Sequence, residues 1–173
     1  MNRFSRRSLL QASAVGVGLA TAGCLDTLGD LGGESDAITL ARAAGPGPDE
    51  VALTASDAPV VLDFFATWCA PCVPQLDSIG IAAGDRPDAH FVSITTESDG
   101  DAVSQWWDMH GGDWPAVLDP EARAQSEYSA PRLPTTLVLP PGGGPGNEVW
   151  RHVGVARADT VVDAIDRASD GEP

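Results

Sequence analysis

One stretch constrains this chain more than any other: the run Pro59-Val60-Val61-Leu62-Asp63-Phe64-Phe65-Ala66, followed two residues later by Cys69-Ala70-Pro71-Cys72. A nearly continuous apolar run of this length reads as a strand covered on both faces, which belongs to a sheet with parallel members and helices packed against it. The residues that follow, 69–83, read as a helix. A central strand therefore delivers two cysteines, spaced by two residues, to the start of a helix.

A Cys-x-x-Cys pair in that setting has three explanations: half a metal site, a structural bridge, or a redox pair. A tetrahedral zinc site needs four ligands, and the other obvious donors, His90, His110 and His152, are not at finger-like spacing. A structural disulfide closing so small a loop gains little, because its stabilisation grows with loop length. The strand–Cys-x-x-Cys–helix context favours the redox pair.

At a helix N-terminus the free N–H groups and the macrodipole favour an anion, so Cys69 is expected to be the attacking thiolate and Cys72, one turn further in, to resolve the mixed disulfide. Pro71 fixes φ early in the helix, whereas Pro74 is expected to bend it. Asp63 stands six residues before Cys69 inside the apolar run, where a carboxylate is costly unless it has a task. It is either a strand-end residue turned to water or a buried acid of raised pKa that takes the proton of Cys72.

Beyond the motif, strands are expected at 91–95, 115–118, 135–139 and 148–153, and helices at 101–110, 121–128 and 159–168. In the helix at 101–110, Val103, Trp106, Trp107 and His110 share one face, and in the last helix Val161, Val162 and Ile165 turn inward. The Gly/Pro-rich segment 140–146 separates two strands that make a hairpin. Trp106, Trp107 and Trp114 read as core and the three histidines as ordinary surface or core residues. The order is β-α-β-α-β-α-β-β-α, an α/β domain over 51–170.

The first 23 residues carry Ser5-Arg6-Arg7-Ser8-Leu9-Leu10 and then an uncharged Ala/Gly/Val/Leu stretch up to Cys24. That is the n-region and h-region of an export signal, too short and glycine-rich to span a bilayer. The paired arginines look like a twin-arginine signal for export in folded form. Thr21-Ala22-Gly23-Cys24 resembles a lipobox, which makes Cys24 the lipidation site and places the protein on the extracytoplasmic side of the cell membrane. Residues 24–50, with Gly32-Gly33 and Gly45-Pro46-Gly47-Pro48, read as a flexible tether and irregular lead-in.

The net charge is -15, from 25 acids against ten basic residues that are all arginine. A surface this acidic excludes nucleic acid as a partner. With 43% hydrophobic residues and five tryptophans the chain still has a core's worth of apolar surface, so the charge points to a folded protein of halophile type rather than to disorder.

From Val61 to Cys72 the sequence resembles the active-site segment of the thioredoxin superfamily, and specifically of its extracytoplasmic TlpA/ResA-like branch. Arg132-Leu133-Pro134-Thr135-Thr136 is similar to the segment that carries the family's cis-proline, and Trp114-Pro115-Ala116-Val117-Leu118-Asp119 to the strand and helix inserted in that branch. The resemblance implies a thioredoxin-like fold, a mixed sheet flanked by helices, with Pro134 in a cis bond after Leu133 beside the two sulfurs, and Trp68 shielding the site. It also implies exchange of dithiol and disulfide with protein substrates, as a monomer, with no metal and no cofactor beyond the Cys69–Cys72 disulfide, and with a membrane dithiol donor as a further partner. Reduction is the expected direction. Two positions depart from the branch: Gln75 stands where its cytochrome-maturation reductases carry Glu, and Asp63 where many members have Asn and thioredoxin has Asp.

The rival readings are a copper-handling module of the Sco type, which spaces its cysteines by three residues and adds a histidine, and a peroxide-reducing relative, whose cysteine sits after a Pro-x-x-x-Thr/Ser run absent here.

Overall fold

The computed structural model describes residues 37–171; the leader and Cys24 lie outside the described residues. The elements are β1 (Thr39–Ala44), β2 (Glu50–Ala52), β3 (Val60–Phe64), α1 (Cys72–Asp85), β4 (His90–Thr95), α2 (Gly100–His110), β5 (Ala116–Leu118), α3 (Arg123–Glu127), β6 (Thr135–Leu139), β7 (Trp150–Val153) and α4 (Ala158–Asp170). The strands form one mixed sheet in the order β2-β1-β5-β4-β3-β6-β7. β3, β4 and β5 run parallel, and the strands on either side of them are antiparallel.

All five residues of β3 are buried, as a strand with both faces covered requires. Alternation divides its side chains between two cores. Val61 and Phe65 pack with Cys72, Leu76 and Ile79 of α1, Trp107 of α2 and Ile165 of α4. Val60, Leu62 and Phe64 join Val92, Ile94, Leu137 and Tyr128 on the opposite face. Each fully buried Leu or Phe contributes about 1.5–3 kcal/mol. Asp63 lies between Val61 and Phe65 and so points into the α1 face.

Two expectations need correction. The lead-in to residue 50 is not irregular throughout, because β1 begins at Thr39 and pairs with β5. Its sequence, Thr-Leu-Ala-Arg-Ala-Ala, is poor in strand formers and buries only Leu40 and Ala44, so pairing rather than propensity makes it a strand. Arg42 fixes the turn that follows, donating to the carbonyls of Pro48 and Gly45. Gly45 there has φ +75, and a Cβ on it would lie 2.1 Å from the Trp114 carbonyl oxygen.

The second correction is the start of α1, at Cys72 rather than residue 69; the Cys72 N–H already bonds to the Cys69 carbonyl across the preceding turn. Pro74 then falls in the first helical turn, where its missing N–H breaks no intrahelical bond, which removes the reason to expect a bend. In α4, Val161 and Ile165 are buried as expected, Val162 packs half-buried against the same core, and Ala164 joins them.

α3 is shorter than expected, and its start is fixed by Asp119. That carboxylate, 1% exposed, accepts the N–H of Arg123 at 2.8 Å and of Gln125 at 2.9 Å. Trp114 is buried with its indole N–H on Ser93 Oγ at 2.9 Å, Trp107 is buried, and Trp106 is half-buried against Phe65.

Candidate active site

Cys69 and Cys72 form a disulfide, S–S 2.01 Å, in the turn that leads into α1. Cys72 is fully buried, and Cys69 retains 5% exposure. Cys69 reaches the surface at the bottom of a groove of about 460 Å³, whose walls include Trp68, Ala70, Pro71, Pro131 and Leu133. Only the first of the two sulfur-bearing residues can therefore be met from outside.

The loop before Cys69 is held by a carboxylate that no sequence signal singles out. Glu97 accepts the Thr67 N–H at 2.8 Å and the Thr67 hydroxyl at 2.7 Å, and Thr95 Oγ1 donates to it at 3.1 Å. The next residue, Trp68, is 75% exposed and lines the same groove as Cys69.

The Leu133-Pro134 bond is cis, with Pro134 buried and Leu133 half-buried on the groove wall. The Pro134 carbonyl accepts the Gly154 N–H at 2.9 Å, and Arg151 donates to the carbonyls of Tyr128 and Ser129, tying down the segment that approaches the proline.

Asp63 is 1% exposed, which disposes of the alternative that it turns to water. Its Oδ1 accepts the Thr136 hydroxyl at 3.2 Å; Oδ2 is buried and meets no donor among the described residues. Burial disfavours the charged form and pushes the carboxyl from 3.8 up to about 7, the Thr136 hydrogen bond offsetting part of the rise. Gln75, one turn after Cys72 on the buried side of α1, donates to Thr136 Oγ1 at 3.0 Å. Cys72, Gln75, Thr136 and Asp63 thus share one buried layer between α1 and the sheet.

His152 stacks on Trp150, His110 packs at a tilt against Trp106, and His90 lies at the far end of β4. Among the described residues no group of three or more His, Cys, Asp or Glu is placed to hold a metal ion.

A mixed sheet with helices on both faces, a Cys-x-x-Cys disulfide leading into a helix, and a cis-proline on the wall of the same groove together define a protein of the thioredoxin-fold class. The chain belongs to the Redoxin family, whose model matches residues 34–163. It is 27% identical over 86 residues to the thiol-disulfide oxidoreductase ResA of Bacillus subtilis, an overlap of 49% of this chain and 48% of that protein, so it spans about half the length of that relative. Among solved structures it is similar to StoA of Bacillus subtilis, with TM-score 0.60 and 18% identity over 73% of this chain and 96% of that one. The exposed lipoprotein thioredoxin Etrx1 of Streptococcus pneumoniae is another such neighbour, with TM-score 0.64 and 18% identity over 76% and 98%. The expected thioredoxin-like fold is therefore met.

Proposed function

We propose that this protein is an extracytoplasmic, lipid-anchored thiol–disulfide oxidoreductase that reduces disulfides in protein substrates. The observation that carries the reading is the asymmetry of the disulfide: Cys69 opens onto a groove walled by Leu133 of the cis-peptide, while Cys72 lies buried in the layer that contains Asp63.

In the reduced protein the Cys69 thiolate, ahead of the N-terminus of α1, attacks one sulfur of a substrate disulfide. A mixed disulfide forms and the other substrate sulfur leaves as a thiolate. Cys72 then gives its proton to Asp63 and attacks Cys69 Sγ; the Cys69–Cys72 disulfide forms and the second substrate sulfur departs as a thiolate. Two electrons pass to the substrate. A dithiol donor, supplied through the membrane, returns the pair to its reduced state, and no cofactor beyond the cysteine pair enters.

The placement rests on the leader: the Arg6-Arg7 signal, the segment ending at Cys24 and the acidic surface suit export in folded form and acylation of Cys24. The lipoprotein named among the structural neighbours is consistent with it. Mass spectrometry of the membrane fraction should find a diacylglyceryl-type adduct on Cys24, and Cys24→Ser should release the protein.

The deciding measurement is the reduction potential of the Cys69/Cys72 pair, by equilibration against dithiothreitol or glutathione with trapping of free thiols. A value near or below about -250 mV supports the reductase, and one above about -180 mV reverses the direction to oxidant or isomerase.

A further inference from the structure

Three hydrogen bonds run end to end through the buried layer behind Cys72. The Ala156 N–H donates to Gln75 Oε1 at 2.6 Å, Gln75 Nε2 donates to Thr136 Oγ1 at 3.0 Å, and Thr136 Oγ1 donates to Asp63 Oδ1 at 3.2 Å. Gln75, Thr136 and Asp63 are each 0–1% exposed.

The direction of this chain is fixed at its far end. A backbone N–H can only donate, so the atom of Gln75 that faces Ala156 must be the carbonyl oxygen, and the amide NH₂ must face Thr136. Thr136 Oγ1 therefore receives a hydrogen there and has its single hydrogen left for Asp63. Every donor in the row points toward the carboxylate.

We propose that Gln75 is a positioning residue for the proton acceptor: anchored by Ala156, it orients the Thr136 hydroxyl to donate to Asp63 Oδ1, so that the proton taken from Cys72 is carried on Oδ2. The inference rests on the proposed role of Asp63. A donor held against Oδ1 favours the ionised form, and it works against the burial that pushes the carboxyl up to about 7. Without it the acid would hold its proton further into the alkaline range and accept none from Cys72 at neutral pH.

The titratable groups that face Asp63 are few. α1 presents Cys72, held in the disulfide, while its Asp77 and Asp85 are exposed. β4 carries only His90, at the strand's other end, and β6 carries none. His152 of β7 lies two strands away in the same cross-strand row, opposite Thr136. Asp159, Asp163, Arg167 and Asp170 of α4 are exposed, Asp166 of α4 is paired with Arg86, and Glu97 is committed to Thr67. Among the described residues no opposite charge competes with Thr136 for control of the carboxyl.

Gln75→Glu reverses the row. One Glu oxygen still accepts from Ala156, but the other now accepts from Thr136, turning its hydrogen away from Asp63 and adding a like charge.

The test follows the Asp63 carboxyl carbon and the Gln75 side-chain amide by NMR against pH, on the full oxidised chain with no substrate. In the wild type both signals should move with one midpoint near neutrality. In Thr136→Val the Asp63 midpoint should rise by about one pH unit, the worth of one hydrogen bond to a charge, and the Gln75 amide should cease to follow it. Thr136→Ser should restore both, and Gln75→Glu should raise the midpoint at least as far as Thr136→Val. A Gln75 amide that stays still while Asp63 titrates overturns the proposal, as does an unmoved midpoint in Thr136→Val; the wild-type and Thr136 measurements decide it even if Gln75→Glu fails to fold. Because the disulfide form is observed without turnover, a coupled titration in an inactive enzyme would sink the catalytic reading alone, and an active enzyme with a silent Gln75 would sink this one alone.

Discussion

Replacing Asp63 with asparagine should make the oxidised protein more stable above pH 7 and leave it nearly unchanged at pH 4. The Asp63 carboxyl is pushed from 3.8 to about 7 by burial, while in the unfolded chain it titrates at its ordinary value. Between those two values the folded protein keeps a proton that the unfolded chain has released, so stability falls as pH rises. The contribution is whole below 3.8 and fully lost above about 7. At 1.36 kcal/mol per pH unit the loss is about 4 kcal/mol, a large share of the roughly 5–15 kcal/mol by which domains are stable. Asparagine has the same shape, accepts the same Thr136 hydrogen and never ionises, so at pH 4 it matches the protonated acid. Urea unfolding of both proteins by tryptophan fluorescence, at steps from pH 4 to 8.5, measures the effect, and the difference between them cancels every other carboxylate. A gap that does not grow with pH would refute the reasoning. In the same variant the attack of Cys72 on a mixed disulfide should slow at neutral pH, so stability and rate should move in opposite directions.

Cys72→Ser should accumulate mixed disulfides through Cys69 that run as reducible adducts on non-reducing gels, and Cys69→Ser should form none, because only Cys69 opens onto the groove. Asp119→Ala leaves two N–H groups at the start of α3 without their acceptor and should lower stability by about 2 kcal/mol, read from denaturant midpoints, with faster amide exchange at Arg123 and Gln125. Gly45→Ala combines a positive φ with a Cβ 2.1 Å from the Trp114 carbonyl oxygen; a loss of about 2 kcal/mol is expected, and an unchanged melting temperature would show that the turn relaxes freely.

The readable parts of the molecule are those where one residue type has one physical use. The apolar run of β3, the cysteine spacing and the helical periodicity around Val103 and Trp107 lead to the central strand, the sulfur pair and α2 without help. β1 was not readable, because an alanine-rich strand draws its order from the β5 edge it meets, and the Gly-Pro repeat beside it reads equally well as a linker or a turn. Glu97 was invisible for a related reason: it lies 30 residues from Thr67 and has no spacing signal, and only the meeting of the loop with the end of β4 brings them together. Asp63 stood out in the sequence by being charged among apolar neighbours, whereas Thr136 and Gln75, its link to the rest of the layer, are unremarkable residue types whose connection exists only once α1 packs on the sheet.

The sheet ends in a three-residue strand on one side and a four-residue strand on the other. Glu50 opens the first, and Arg151 stands in the second, engaged with Glu148. Short, charged margins of this kind discourage another chain from joining the ladder. If the substrates are other polypeptides, as proposed above, the danger is indiscriminate capture: a long bare margin would recruit any extended segment it met and grow into aggregate. Under that proposal, trimmed flanks favour the groove beside Leu133 over the sheet margins for a visiting backbone, so selectivity begins with what the periphery refuses.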